Sequence, residues 1–81
     1  MRIKSNVAIS ASGLIFNPET GESFTVNPMG AEIINFLKQG DDREAVAAKI
    51  IDRYNIDKTS FEKDFEDFTA LLQNYLLIED E

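Results

Sequence analysis

Apolar residues in the first third of the chain fall in short runs of β-formers: Val7 and Ile9, then Leu14 to Phe16, then Phe24 to Val26. Turn residues separate the runs, at Ser10-Ala11-Ser12-Gly13 and at Asn17-Pro18-Glu19-Thr20-Gly21. In the second turn Pro18 presets φ for the first corner, and Gly21 can take the positive φ of a type I turn closed by a bulge. The pattern predicts a three-stranded meander over about 5–10, 13–17 and 22–26.

At Asn27-Pro28 the period changes. Asn27 can cap a helix and Pro28 fits its first position, while Met29, Ile33, Phe36 and Leu37 recur at helical spacing until Gly40. Helix one is predicted over 28–39. Asp41 or Asp42 caps a second, Ala-rich helix over 42–54, which carries Val46, Ile50, Ile51 and Tyr54 and ends before Asn55. Thr59 and Glu62 form a capping-box pattern that opens a third helix over 60–75. Its Phe61, Phe65, Phe68, Leu72 and Tyr75 recur at steps of four and three, and Leu71 and Leu76 widen the stripe. Leu76, Leu77 and Ile78 close the domain, and Glu79-Asp80-Glu81 reads as a frayed acidic end. The expected fold class is α+β: a small antiparallel sheet followed by three helices that must cover one of its faces.

At 81 residues the chain has room for one core, so a single domain over 1–81 is expected. It contains no Cys and no His, which removes disulfides, thiolate zinc sites and imidazole ligands, and no cofactor or metal is expected. Met1-Arg2-Ile3-Lys4 followed by apolar residues has the outline of a secretory signal, but Asn6, Ser10, Ser12 and Gly13 interrupt the run and no small-residue cleavage site follows. No stretch reaches the ~18 apolar residues of a membrane span, and a cytoplasmic location is the expectation.

Fifteen acidic against eight basic residues give a net charge of −7, which repels polyanions. A sheet with three helices invites comparison with a winged helix, yet the would-be recognition helix sets Lys63 against Glu62, Asp64, Glu66 and Asp67. Such a helix opposes a phosphate backbone, so no nucleic-acid partner is expected. Those carboxylates crowd the start of helix three, where the helix dipole favours them, and lie along its outside without converging on a catalytic pair. Asp41-Asp42 and Asp57 lack the spacing and central Gly of a calcium loop and read as caps. An acyl carrier protein would need an attachment Ser in an Asp-Ser-Leu type of motif, and Thr59-Ser60-Phe61 stands there instead. The chain is therefore read as no enzyme.

Two surfaces remain as binding features. The third strand, Glu22, Ser23, Phe24, Thr25 and Val26, has a free edge in a three-stranded meander; it is either a template for an added strand or an edge protected by its polar residues. The stripe of helix three is broad enough to give one border to a groove. Asp64 projects within that stripe and either stays wet or receives a basic group from a bound peptide.

The segment Val26-Asn27-Pro28-Met29-Gly30-Ala31-Glu32-Ile33, followed by Leu37 to Gly40 and by Val46 to Ile50, resembles the PqqD-like family of peptide chaperones in pyrroloquinoline quinone biosynthesis, whose relatives recognise leaders of other ribosomally made, modified peptides. Asn27, Gly30 and Gly40 match its pattern. The Gly usual before the final apolar residues is replaced by the run Tyr75-Leu76-Leu77-Ile78. The resemblance implies a winged-helix-like domain and a leader peptide that adds as a strand to Glu22–Val26. It also implies a side-chain groove along Phe61, Asp64, Phe65, Phe68 and Leu71, and a partner enzyme, often a radical S-adenosylmethionine protein, that modifies the presented peptide. An adaptor or regulatory subunit using the same groove is the alternative, and self-pairing of the strand edge into a homodimer stays open.

Overall fold

Residues 2–79 are described in the computed structural model. Strands β1 (Arg2–Ile3), β2 (Ala8–Ile9), β3 (Leu14–Asn17) and β4 (Glu22–Thr25) are followed by helices α1 (Pro28–Lys38), α2 (Arg43–Tyr54) and α3 (Lys58–Asn74), and then by β5 (Ile78–Glu79). The expected meander is present as an antiparallel sheet in the order β2-β3-β4, so the fold class is α+β.

The first strand is shorter than the 5–10 expected. Ser5 and Asn6 form a turn in which the Val7 N–H donates to the Lys4 carbonyl (3.2 Å), and this turn sends the Val7 side chain into the core. The third strand ends at Thr25, although the Val26 N–H still pairs with the Gly13 carbonyl (2.9 Å). A second sheet was not expected from the sequence. β1 and β5 pair antiparallel, Arg2 opposite Glu79 and Ile3 opposite Ile78, and an Arg2–Glu79 ion pair at 3.0 Å spans them. Glu79 is thus part of a strand rather than of a frayed end; Asp80 and Glu81 of that expected tail lie outside the described residues.

The helix starts follow their caps. Asn27 Oδ1 accepts from the Gly30 N–H at 2.8 Å with Pro28 behind it, and Asp42 Oδ1 accepts from Ala45 at 2.8 Å. α3 opens two residues earlier than expected. Asp57, not Thr59, is its cap, because the Asp57 carboxylate reaches both the N–H (3.0 Å) and the hydroxyl (3.2 Å) of Ser60. Thr59 therefore lies inside the first turn, and that turn carries no acidic residue. The negative charge answering the helix dipole is the Asp57 cap itself.

The helix ends are instructive. α1 closes with the Asp41 N–H on the Phe36 carbonyl and the Gly40 N–H on that of Leu37, a Schellman motif with Gly40 at φ +101°. α3 closes in the same way, with the Leu77 N–H on Leu72 and the Leu76 N–H on Gln73, but here Leu76 occupies the left-handed position at φ +60°. So the missing glycine leaves the motif intact and transfers its conformational cost to a leucine that is 56% exposed. Leu76 was expected on the helical stripe and instead stands beyond the helix.

The core joins both sheets to the three helices: Ile3 and Ile15 from the strands and Val7 from the turn before β2 meet Ile34, Leu37, Ile50, Phe61, Phe65, Leu72 and Leu77. Burying each of the two phenylalanines contributes about 1.5–3 kcal/mol. Among the described residues one polar side chain is fully enclosed. Asn17 donates from Nδ2 to the Tyr75 carbonyl at 3.2 Å and accepts at Oδ1 from the Glu19 N–H at 3.0 Å, tying the β3–β4 turn to the end of α3. On the far face of the sheet Leu14 and Phe16 remain exposed.

Candidate functional site: an open strand edge beside helix three

β4 lies at the edge of its sheet. Val26 bonds to Gly13, directly opposite it in the register, and antiparallel pairs alternate between bonded and unbonded. Phe24 therefore turns its backbone groups inward to Ile15, while at the turn the Asn17 carbonyl accepts from the Gly21 N–H (2.8 Å) and the Glu22 N–H donates to Thr20 Oγ1 (3.2 Å). The N–H and C=O of Ser23 and Thr25 point to the open edge, in a stretch with two residues' worth of unpaired donors and acceptors on one side.

The side chains alternate in the opposite sense. Ser23 and Thr25 share the far face with Phe16 and Leu14, whereas Phe24 and Val26 face the helices. The Phe24 ring stacks on Tyr75 with centroids 4.4 Å apart and planes 20° from parallel. This contact identifies the flank of α3 that looks toward β4. Asp64, Phe68, Leu71 and Tyr75 recur at steps of four, three and four, so they share that flank. On the opposite flank Glu66 pairs with Arg43 of α2 (3.3 Å).

Between the head of α1 and α3, where the chain leaves β4 through the Asn27 cap, lies a cavity of about 180 Å³. α3 contributes Phe61, Asp64, Phe65 and Phe68, and α1 contributes Met29, Gly30 and Ile33 behind the Asn27 cap. Gly30 makes the approach of these elements close: a Cβ there would sit 3.2 Å from the Phe68 ring and 3.2 Å from Val26 Cβ. Phe61 and Phe65 are buried and form the back of the cavity, Phe68 is half-buried, and Asp64 is exposed at its rim. The structure thus brings four of the expected groove residues, Phe61, Asp64, Phe65 and Phe68, into one concavity. Leu71 lines none of it and lies one turn further along the same flank, 40% exposed. Of the expected strand residues, Ser23 and Thr25 supply the free edge, Phe24 and Val26 supply inward side chains, and Glu22 begins the strand.

Sequence reasoning placed Tyr75 on the stripe of helix three but not among the groove residues, and it missed the α1 wall of the cavity. The spacing of Tyr75 from Asp64 and Phe68 carried a signal, but only the stack on Phe24 shows which flank matters. A larger concavity of about 510 Å³ lies on the other side, between α2 and the start of α3, with Ala47 and Ile51 below rims of both charge signs. No residue of β4, of the Asn27 cap or of α1 lines it. Among the described residues no cluster of three or more acidic side chains could hold a metal ion, and no helix is long and apolar enough to cross a membrane.

The solved structure described as TbiB1 in complex with the TbiA(beta) leader peptide superposes with a TM-score of 0.90 and 26% identity, covering 100% of this chain and 98% of the other. No curated protein matches the chain closely. Residues 13–78, from the Gly13 turn through all three helices to β5, match the family described as Coenzyme PQQ synthesis protein D (PqqD). With the β3–β4 hairpin, the Asn27 cap and the Gly30 approach all inside that span, the chain belongs to the PqqD family.

Proposed function

We propose that the protein is a non-catalytic recognition domain that binds the leader segment of a ribosomally made precursor peptide and presents it to a modifying enzyme. The observation that carries this reading is the unpaired edge of β4, which packs through Phe24 on Tyr75 against the same flank of α3 that lines the cavity beside α1. The likeness to a protein solved with a leader peptide supports it. In this reading the peptide adds as a strand, with backbone pairing at Ser23 and Thr25 supplying register and the groove selecting its side chains. The bound peptide is then held at a high local concentration for the enzyme, in a PQQ-type or related pathway. Ordering an extended peptide offsets part of the interaction, so micromolar binding, about 8 kcal/mol, is expected.

The test is an NMR titration of the labelled domain with precursor peptides encoded near it, repeated on Thr25→Pro. Because the Thr25 N–H faces outward, proline there removes an edge donor and leaves the β3–β4 bonds in place. Shifts at Ser23, Thr25 and along Asp64 to Leu71 in the parent, lost in a folded Thr25→Pro, support strand addition. Binding that survives Thr25→Pro unchanged refutes it and turns the search to an adaptor that grips folded partners.

A further inference from the structure

Every cation of the described surface except Lys58 and Lys63 has a partner. Arg2, Lys4, Arg43, Lys49 and Arg53 form ion pairs, and Lys38 donates to the Val7 carbonyl. Asp64 has no ion pair and no hydrogen bond, and it is the sole charged residue on the cavity between α1 and α3. It stands above apolar walls made by Phe68, Met29 and Ile33. A carboxylate over an apolar slot is matched by a side chain with an aliphatic stem and a cationic head, since the stem covers the rings while the head reaches the charge.

The strand geometry adds a spacing. A peptide residue opposite Val26 projects its side chain to the helix side of the sheet, where Val26 and Phe68 both crowd Gly30 at the cavity. The residue two places away lies opposite Phe24 and projects toward Tyr75 and exposed Leu71. Resting on the peptide-recognition reading above, we infer that the groove selects a lysine or arginine opposite Val26, paired with Asp64, two residues from an apolar side chain that covers Leu71 and Tyr75.

The probe is a displayed library of random ten-residue peptides selected on the parent domain and on Asp64→Lys, with recovered peptides measured by fluorescence anisotropy at low and high salt. Asp64 is exposed and unpaired, so Asp64→Lys and the isosteric Asp64→Asn keep the fold, which a melting curve verifies. The parent is expected to enrich Lys or Arg two places from an apolar residue. Exchanging that cation for Glu is expected to weaken parent binding about three- to tenfold and to restore it on Asp64→Lys, with the difference shrinking in salt. If Asp64→Lys is unfolded, the same comparison is made on Asp64→Asn, which is expected to bind the cationic peptide and its norleucine counterpart equally. Peptides that bind and shift the Ser23 and Thr25 amides, yet carry no cation bias or keep it on Asp64→Lys, overturn this inference and leave strand addition standing. A library with no binder that shifts those amides overturns both.

Discussion

Gly13→Ala is the sharpest test of how the edge strand is held. Gly13 sits at φ +87° with its carbonyl accepting the Val26 N–H, and a Cβ placed on it would lie 2.6 Å from the Val26 carbonyl oxygen. The obstacle is backbone, so no rotamer change relieves it. The left-handed conformation costs an L-residue about 1–2 kcal/mol, and overpacking adds about 1–3 kcal/mol. Alanine recovers about 0.4–1 kcal/mol through the less disordered unfolded chain. The net expectation is a loss of roughly 1–4.5 kcal/mol, centred near 3, a large part of the ~4–12 kcal/mol typical of a chain of this length. Gly21→Ala is the control, because Gly21 has φ +77° and nothing within 4 Å of its Cβ position. It bears the conformational term alone, a net loss of about 1.5 kcal/mol or less. Urea unfolding followed by circular dichroism at 25 °C measures both, and at about 4–8 °C per kcal/mol thermal melts separate them as well. If the two variants agree within about 0.5 kcal/mol, the scatter of such comparisons, the contact with Val26 yields freely and the reasoning fails.

Three further outcomes follow from the packing. Asn17→Ala empties the enclosed amide site and removes the partner of the Tyr75 carbonyl, and is expected to cost about 1–3 kcal/mol in a denaturant melt; a cost under about 0.5 kcal/mol would mean that water replaces the amide. Leu76→Val puts a β-branched residue at φ +60° and is expected to lower stability by about 1–2 kcal/mol, whereas Leu14→Val, equally solvent-facing but in a strand, stays within about 0.5 kcal/mol. Equal effects at the two sites would remove strain at Leu76 as the cause. Glu32→Ala unlinks Arg53 and the Tyr54 hydroxyl from α1, and with Glu32 only partly exposed its melt is expected to fall by about 1–2 kcal/mol; an unchanged melt would make the α1–α2 contact wholly apolar.

Sequence by itself determined the features whose causes lie within a few residues. Asn27-Pro28, Asp42 and the glycines at 13, 21 and 40 act through their own backbone or the next turn, so the meander, the helix order and most boundaries were legible. Even Asp57 was readable as a cap; Thr59 competed for the same role, and only the reach of the carboxylate to Ser60 decided between them. The period of α3 likewise exposed Phe61, Asp64, Phe65 and Phe68 as one stripe. Tertiary structure alone decided what depends on segments far apart in the chain. The pairing of β1 with β5 joins two-residue strands 75 positions apart, too short to carry a period. The Asn17 amide finds its acceptor at Tyr75 only after α3 has docked. The flank of α3 that borders the groove is set by the stack of Phe24 on Tyr75, and the cavity there exists because Gly30 lets α1 close on Phe68. Periodicity specifies which side chains share a face; what that face meets is decided by the packing of the whole chain.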